Sequence, residues 1–77
     1  MEKAKSKRTI ETELALQLMR SRLIRRKEVE KYTGLKKSSI YQMAKDGTFP
    51  AGVKVSERAR AWRLGDVLDW TASRPTA

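Results

Sequence analysis

Between Lys36 and Lys45 the chain reads KKSSIYQMAK, with its polar side chains recurring at helical spacing. Setting Ile40, Met43 and Ala44 inward leaves Lys37, Ser38, Tyr41, Gln42 and Lys45 pointing outward. A carboxamide such as that of Gln42 can make paired hydrogen bonds to adenine N6 and N7, and the hydroxyls of Ser38 and Ser39 can bond to base edges or phosphates. Tyr41 offers a ring face for a thymine methyl and a hydroxyl for the nucleic-acid backbone. Lys36, Lys37 and Lys45 suit phosphate contacts. Each residue type also has a structural use. A serine at a helix start is a capping residue, and Tyr41 can pack against a neighbouring hairpin.

A second group is Glu57-Arg58-Ala59-Arg60. In a strand, residues two apart share a side, so Arg58 and Arg60 face the same way. They can grip phosphates, enter a narrow minor groove whose negative potential attracts arginine, or stay solvated and ion-paired. Glu57 argues against a uniform nonspecific grip. Arg26, Lys36 and Lys54 are auxiliary candidates for phosphate contact. Enzyme chemistry is poorly supplied: the chain has no His and no Cys, which excludes zinc fingers and both Cys-His and Ser-His-Asp hydrolases. Asp66 and Asp69 read as a first-turn charge and a surface acid. No metal or cofactor is expected, and the chain is not read as an enzyme.

These groups need elements to hold them. Thr9 can cap a helix from Ile10 to about Arg20, with Ile10, Leu14 and Leu18 at four-residue intervals. That stripe can pack on the domain, pair with a second copy, or fray. Leu23-Ile24 reads as a two-residue strand or an extended lead-in. Lys27 to Thr33 is predicted helical, with Val29 and Tyr32 inward, and Gly34 suits a left-handed stop. A second helix runs from Lys36 or Lys37 to Lys45, with Leu35 entering from the turn, and Asp46-Gly47 ends it. Phe49-Pro50 leads into a hairpin of Val53-Lys54-Val55 and Ala61-Trp62-Arg63, closed by Ser56 to Arg60. After Gly65 and Asp66, Val67, Leu68 and Trp70 line a final helix that stops at Ser73-Arg74-Pro75. Trp62, Trp70, Val53, Val55, Leu64, Val67 and Leu68 are the expected core.

The chain's 77 residues allow one small domain with a thin core. Eighteen Lys and Arg against nine Asp and Glu give a net charge of +9, which attracts a polyanion over long range. Residues 1–8, with Lys3, Lys5, Lys7 and Arg8, read as a flexible basic arm serving solubility or phosphate affinity. Residues 9–21 form an N-terminal helix and residues 22–77 the main domain. No run approaches the roughly 20 apolar residues of a membrane span, so a soluble, cytoplasmic protein is expected.

The segment from Arg22 to Trp70, through the ordered series TGL, SSIY, DGTFP, VKV, AWR and DVLDW, resembles the AlpA-type prophage regulators, relatives of excisionases and MerR-like domains. The resemblance implies a small α+β fold: a winged helix-turn-helix with a two-stranded hairpin wing, here with an additional N-terminal helix. It implies binding near phage or genomic-island promoters or attachment sites, to regulate transcription or steer recombination towards excision. Ser38, Ser39, Tyr41 and Gln42 match the part that enters the major groove, and Ser56 to Arg60 match the wing. Two positions depart from the family pattern. Lys36 follows TGL where a Ser-like cap is common, so the cap moves to Ser38 or water serves the helix start. Ser56 stands where the wing often begins with glycine.

The resulting expectation is a sequence-specific regulator of double-stranded DNA. So few base contacts favour adjacent copies on DNA, or a partner such as an integrase or RNA polymerase. The rival reading is a protein-interaction or anti-repressor module using the Leu14/Leu18 stripe, with an RNA-binding regulator behind it.

Overall fold

The computed structural model describes residues 7–76; residues 1–6 of the expected arm lie outside them. The order of elements is α1 (Lys7–Ser21), β1 (Leu23–Arg25), α2 (Arg26–Thr33), α3 (Lys37–Asp46), β2 (Val53–Ser56), β3 (Ala59–Arg63) and α4 (Leu64–Ala72). This is a small α+β, winged helix-turn-helix architecture, with α2 and α3 as the helical pair and β2–β3 as the wing.

Thr33 and Gly34 make the turn between the two helices. Gly34 ends α2 at φ 77°, a left-handed conformation that a side chain disfavours, and its N–H donates to the Glu30 carbonyl. The Thr33 hydroxyl donates to the Val29 carbonyl at 2.8 Å and accepts from the Leu35 N–H at 3.1 Å, so one side chain joins the end of α2 to the turn. Residue 36 then enters α3 in an extended conformation.

The hairpin does not stand alone. Leu23–Arg25 is a true third strand, and the sheet order is β1-β3-β2, antiparallel throughout. Ile24 pairs with Trp62, and both are fully buried. Two apolar residues were enough to make a strand because this partner covers Ile24. Each large side chain buried in this way contributes about 1.5–3 kcal/mol.

The core comprises Ile24, Val29, Ile40, Phe49, Trp62, Leu64 and Val67, with Leu35, Met43, Leu68 and Trp70 packed against it. Both indole N–H groups find loop carbonyls: Trp62 donates to Pro50 and Trp70 to Thr48, each at 2.7 Å. Phe49, read as a lead-in, is buried edge-on against Trp70, with ring centres 4.9 Å apart. Gly52 allows the chain to pass close to β3. A Cβ there would lie 2.7 Å from the Ala61 carbonyl oxygen and 2.9 Å from the Trp62 ring, and the residue has φ 79°.

Several expectations are corrected. Tyr32 is exposed rather than inward, because eight residues of α2 bury only Val29. Val55 is exposed because the pairing shifts between Lys54↔Arg60 and Ser56↔Ala59, leaving it as an extra residue that escapes the alternation. Trp70 packs against the core as expected, but it stays half-buried, with the Arg74 guanidinium over its ring at 4.3 Å. Thr9 does not cap α1, which already begins at Lys7. α4 follows β3 directly and includes Gly65, across which the Arg20 side chain lies; a Cβ at Gly65 would meet the Arg20 guanidinium carbon at 3.0 Å.

Candidate nucleic-acid interface

The burial of Ile40 fixes how α3 is turned. At about 100° per residue, Ser38, Gln42 and Lys45 fall on the side away from Ile40, and Tyr41 falls on the flank nearer the hairpin. All four are exposed, and Ser39 is half-buried. The α3 start does not use serine as a cap. Lys36 is the N-cap residue and makes no side-chain capping bond, while Ser38 and Ser39 lie inside the first turn. The cap has therefore not moved to Ser38.

Tyr41 packs beside the hairpin and still leaves part of its ring exposed. Its ring centre is 6.3 Å from that of Trp62, tilted by 50°, yet the residue remains 42% exposed. Around it three shallow basins meet. One is bounded by Arg25, Arg26, Lys27, Arg58 and Arg60, a second by Lys54, Glu57, Arg58 and Arg60, and a third by Lys45, Ala51 and Arg60. Tyr41 and Arg60 line all three. Thus Tyr41, Lys45, Lys54, Arg58, Arg60 and Arg26 come together. Ser38, Ser39 and Gln42 line a separate shallow groove with Met43, and Lys36 and Lys37 line none of these basins.

The wing is tighter than the span from Ser56 to Arg60. Ser56 closes β2 and Ala59 opens β3, so only Glu57 and Arg58 form the turn. No described non-glycine residue has a positive φ, so Ser56 adopts no conformation that requires the glycine it replaces. Arg60 is a strand residue whose guanidinium donates to the Ala51 carbonyl at 2.7 Å, which holds it beside α3. Arg58 sits in the turn and is exposed.

Two cations of this rim, Arg25 and Lys27, were missed. Both are exposed, whereas Arg26 between them is half-buried and ion-paired with Glu30 one turn along α2. The signal was present in the run Leu23-Ile24-Arg25: once Ile24 is inward, the neighbouring Arg25 must be outward. Two apolar residues alone are too short a run for that alternation to show. Gln42 also has an unforeseen partner, donating through Nε2 to Asp46 at 3.1 Å.

Among the described residues no group of three or more His, Cys, Asp or Glu could hold a metal ion, and no helix is long and apolar enough to cross a membrane.

A helix-turn-helix whose second helix stands beside a short basic hairpin defines the winged helix-turn-helix class. The protein family described as "Prophage CP4-57 regulatory protein (AlpA)" matches residues 22–75, and the chain belongs to this AlpA family of prophage regulatory proteins. A relative from Enterobacteria phage P4, described as "Uncharacterized protein ORF88", is 33% identical over 57 residues, which cover 74% of this chain. The match spans 65% of the relative, less than two thirds of its length. No solved structure matches the chain.

Proposed function

We propose that this chain is a sequence-specific, double-stranded-DNA-binding regulator of prophage or genomic-island genes, with a second role in directing excision. One observation carries this reading: the exposed polar edge of α3 stands beside a rim of cations gathered around Tyr41, while Ile40 on the opposite side is sealed in the core. The major groove admits one α-helix and displays a distinct pattern for each base pair. In this mechanism Arg25, Lys27, Lys45, Arg58 and Arg60 neutralise phosphates, with Arg26, Lys36, Lys37 and Lys54 as auxiliary contacts. Ser38, Ser39, Tyr41 and Gln42 meet the bases, and the wing fixes orientation. The cations supply affinity and the α3 edge supplies choice.

Membership of a regulatory family of prophages supports the same reading. The action is stoichiometric, without cofactor or turnover. A single domain of this size makes few base contacts, so adjacent copies on DNA, or an integrase or RNA polymerase bound alongside, complete the recognition.

Selecting bound fragments from genomic DNA and mapping them against promoters and attachment sites tests the proposal. Recovery of a common sequence at such places is expected. Binding without sequence preference at moderate salt would overturn it and favour a protein-interaction or anti-repressor module.

A further inference from the structure

Gln42 is exposed on the side of α3 turned away from the core, and its Nε2 donates to Oδ1 of Asp46 at 3.1 Å. A carboxylate is an acceptor only, so the arm of the amide that faces Asp46 is the NH2 and the other arm is Oε1. The bond therefore fixes which way round the carboxamide is presented. One N–H and one acceptor oxygen remain for an outside partner. Among the other exposed polar residues of α3, Lys37 and Lys45 only donate, and Ser38 and Tyr41 each carry a single hydroxyl. Gln42 alone holds a donor and an acceptor side by side in one plane.

We propose that the base chosen through Gln42 is an adenine whose N6 is unmodified, and that methylation of that N6 releases the protein from its site. This rests on the DNA-binding reading above and adds to it a chemical switch carried by the DNA.

The hydrogen-bonding pattern selects the base. In the major groove adenine sets an acceptor, N7, beside a donor, N6–H, and Gln42 matches both. Guanine presents two acceptors, N7 and O6. With one N–H committed to Asp46, Gln42 has a single donor left, and its Oε1 would be set against O6. Cytosine and thymine each offer one hydrogen-bonding group there, which leaves half of the amide unmatched.

The same pattern makes the N6 hydrogen the point of control. In a base pair one N6 hydrogen of adenine is bonded to thymine O4, so a methyl group on N6 takes the place of the other, which points into the major groove beside N7. That hydrogen is the one Oε1 accepts. A separate adenine methyltransferase makes the change on the DNA: N6 takes the methyl from a sulfonium donor, which becomes a thioether, and gives up one hydrogen as a proton. The methyl removes the donor and leaves Oε1 unpaired in a closed interface, where it bears its full desolvation penalty. The cations around Tyr41 cannot make up the loss, and they do not add to it, because the methyl leaves the phosphate charge as it was.

The test uses the full chain, the site recovered by fragment selection, and copies of that site with N6-methyladenine at one adenine at a time on either strand. For the parent, one such copy should bind at least about tenfold more weakly than the unmethylated site, while binding to a scrambled duplex is unaffected by methylation. Gln42→Ala should bind that copy and the unmethylated site equally. Lys45→Ala should weaken both and keep their ratio, which separates a lost base contact from a general loss of affinity. Equal binding of every methylated copy by the parent overturns the proposal, as does a methyl effect of undiminished size in Gln42→Ala. In both of those results the parent still prefers its unmethylated site, so the DNA-binding reading stands. Absence of any preferred site at moderate salt defeats that reading and this proposal together.

Discussion

Gln42 donates a hydrogen from Nε2 to Oδ1 of Asp46, one turn further along α3, at 3.1 Å. This leaves the carboxamide one N–H and its Oε1, the pair that adenine N7 and N6 require. In the proposed recognition Asp46 would thus position Gln42, and it also holds a negative charge near the face proposed to meet DNA. Both side chains are exposed, so the bond is worth only about 0.2–0.5 kcal/mol.

Replacing Gln42 with Ala should lower the preference for the selected site over a scrambled duplex by about 5- to 160-fold, equivalent to about 1–3 kcal/mol. Nonspecific affinity should be largely retained. Asp46→Ala should change the preference by less than about threefold and tighten binding to both duplexes, since a carboxylate leaves the interface. Titrations at fixed salt read both effects. An unchanged ratio for Gln42→Ala would remove that residue from recognition.

The cations divide according to their partners. Arg26 is ion-paired with Glu30, whereas neither Arg25 nor Lys27 appears in any side-chain ion pair among the described residues. Arg25→Ala and Lys27→Ala should each weaken binding to all duplexes alike and reduce the slope of log K against log salt by about 0.9, one phosphate's share. Lys45→Ala should act in the same way. Arg26→Ala should change the slope less, because its charge is already partly compensated. Binding measured across a salt series separates these outcomes; equal slopes for all four variants and the parent would exclude them from the phosphate contacts.

What could be read in advance follows from how local each feature is. Gly34 and Gly47 end their helices as predicted, since a left-handed residue after an amphipathic run is a short-range signal. The turn of α3 was also legible, because Ile40 alone carries its large β-branched side chain to the core. The third strand was legible only as one of two alternatives, a short strand or an extended lead-in: Leu23-Ile24-Arg25 becomes a strand only when Trp62, 38 positions beyond Ile24, supplies the other half of the pair. Phe49 was missed for the same reason, its cover coming from the distant Trp70. The bulge at Val55 depends on hairpin register, which simple alternation cannot reveal. Without the third residue of β1 and its pairing, the sequence alone does not single out Arg25 and Lys27, although their basic run is plain.

Gly52 and Gly34 separate two costs of replacing glycine. Both have positive φ, but a Cβ at Gly34 meets nothing within 4 Å, whereas at Gly52 it meets backbone at 2.7 Å. Gly34→Ala should therefore destabilise by about 1 kcal/mol from conformation alone. Gly52→Ala should exceed this by about 1–3 kcal/mol, as for overpacking of a core, since the Ala61 carbonyl cannot move without disturbing β3. Urea unfolding of the two variants measures the difference. Equal midpoints would mean that the base of the hairpin yields to admit the methyl group.

The attachment of α1 rests on Arg20. Asp69 raises the Arg20 pKa above its ordinary value, chiefly through the hydrogen bond and secondly through charge, and the arginine side chain covers Gly65 at the start of α4. The pair is solvent-exposed, so its removal should have little effect on unfolding of the domain. Its effect should instead be local. In Arg20→Ala the amides of α1 should exchange hydrogen faster, while those of Ile24, Val29 and Trp62 keep their protection, because none of the core side chains belongs to α1. Addition of salt should produce a weaker version of the same change in the parent protein by screening the ion pair. Uniformly faster exchange across the core would show that α1 supports the domain itself, and unchanged exchange in α1 would show that contacts other than Arg20 hold it against α4.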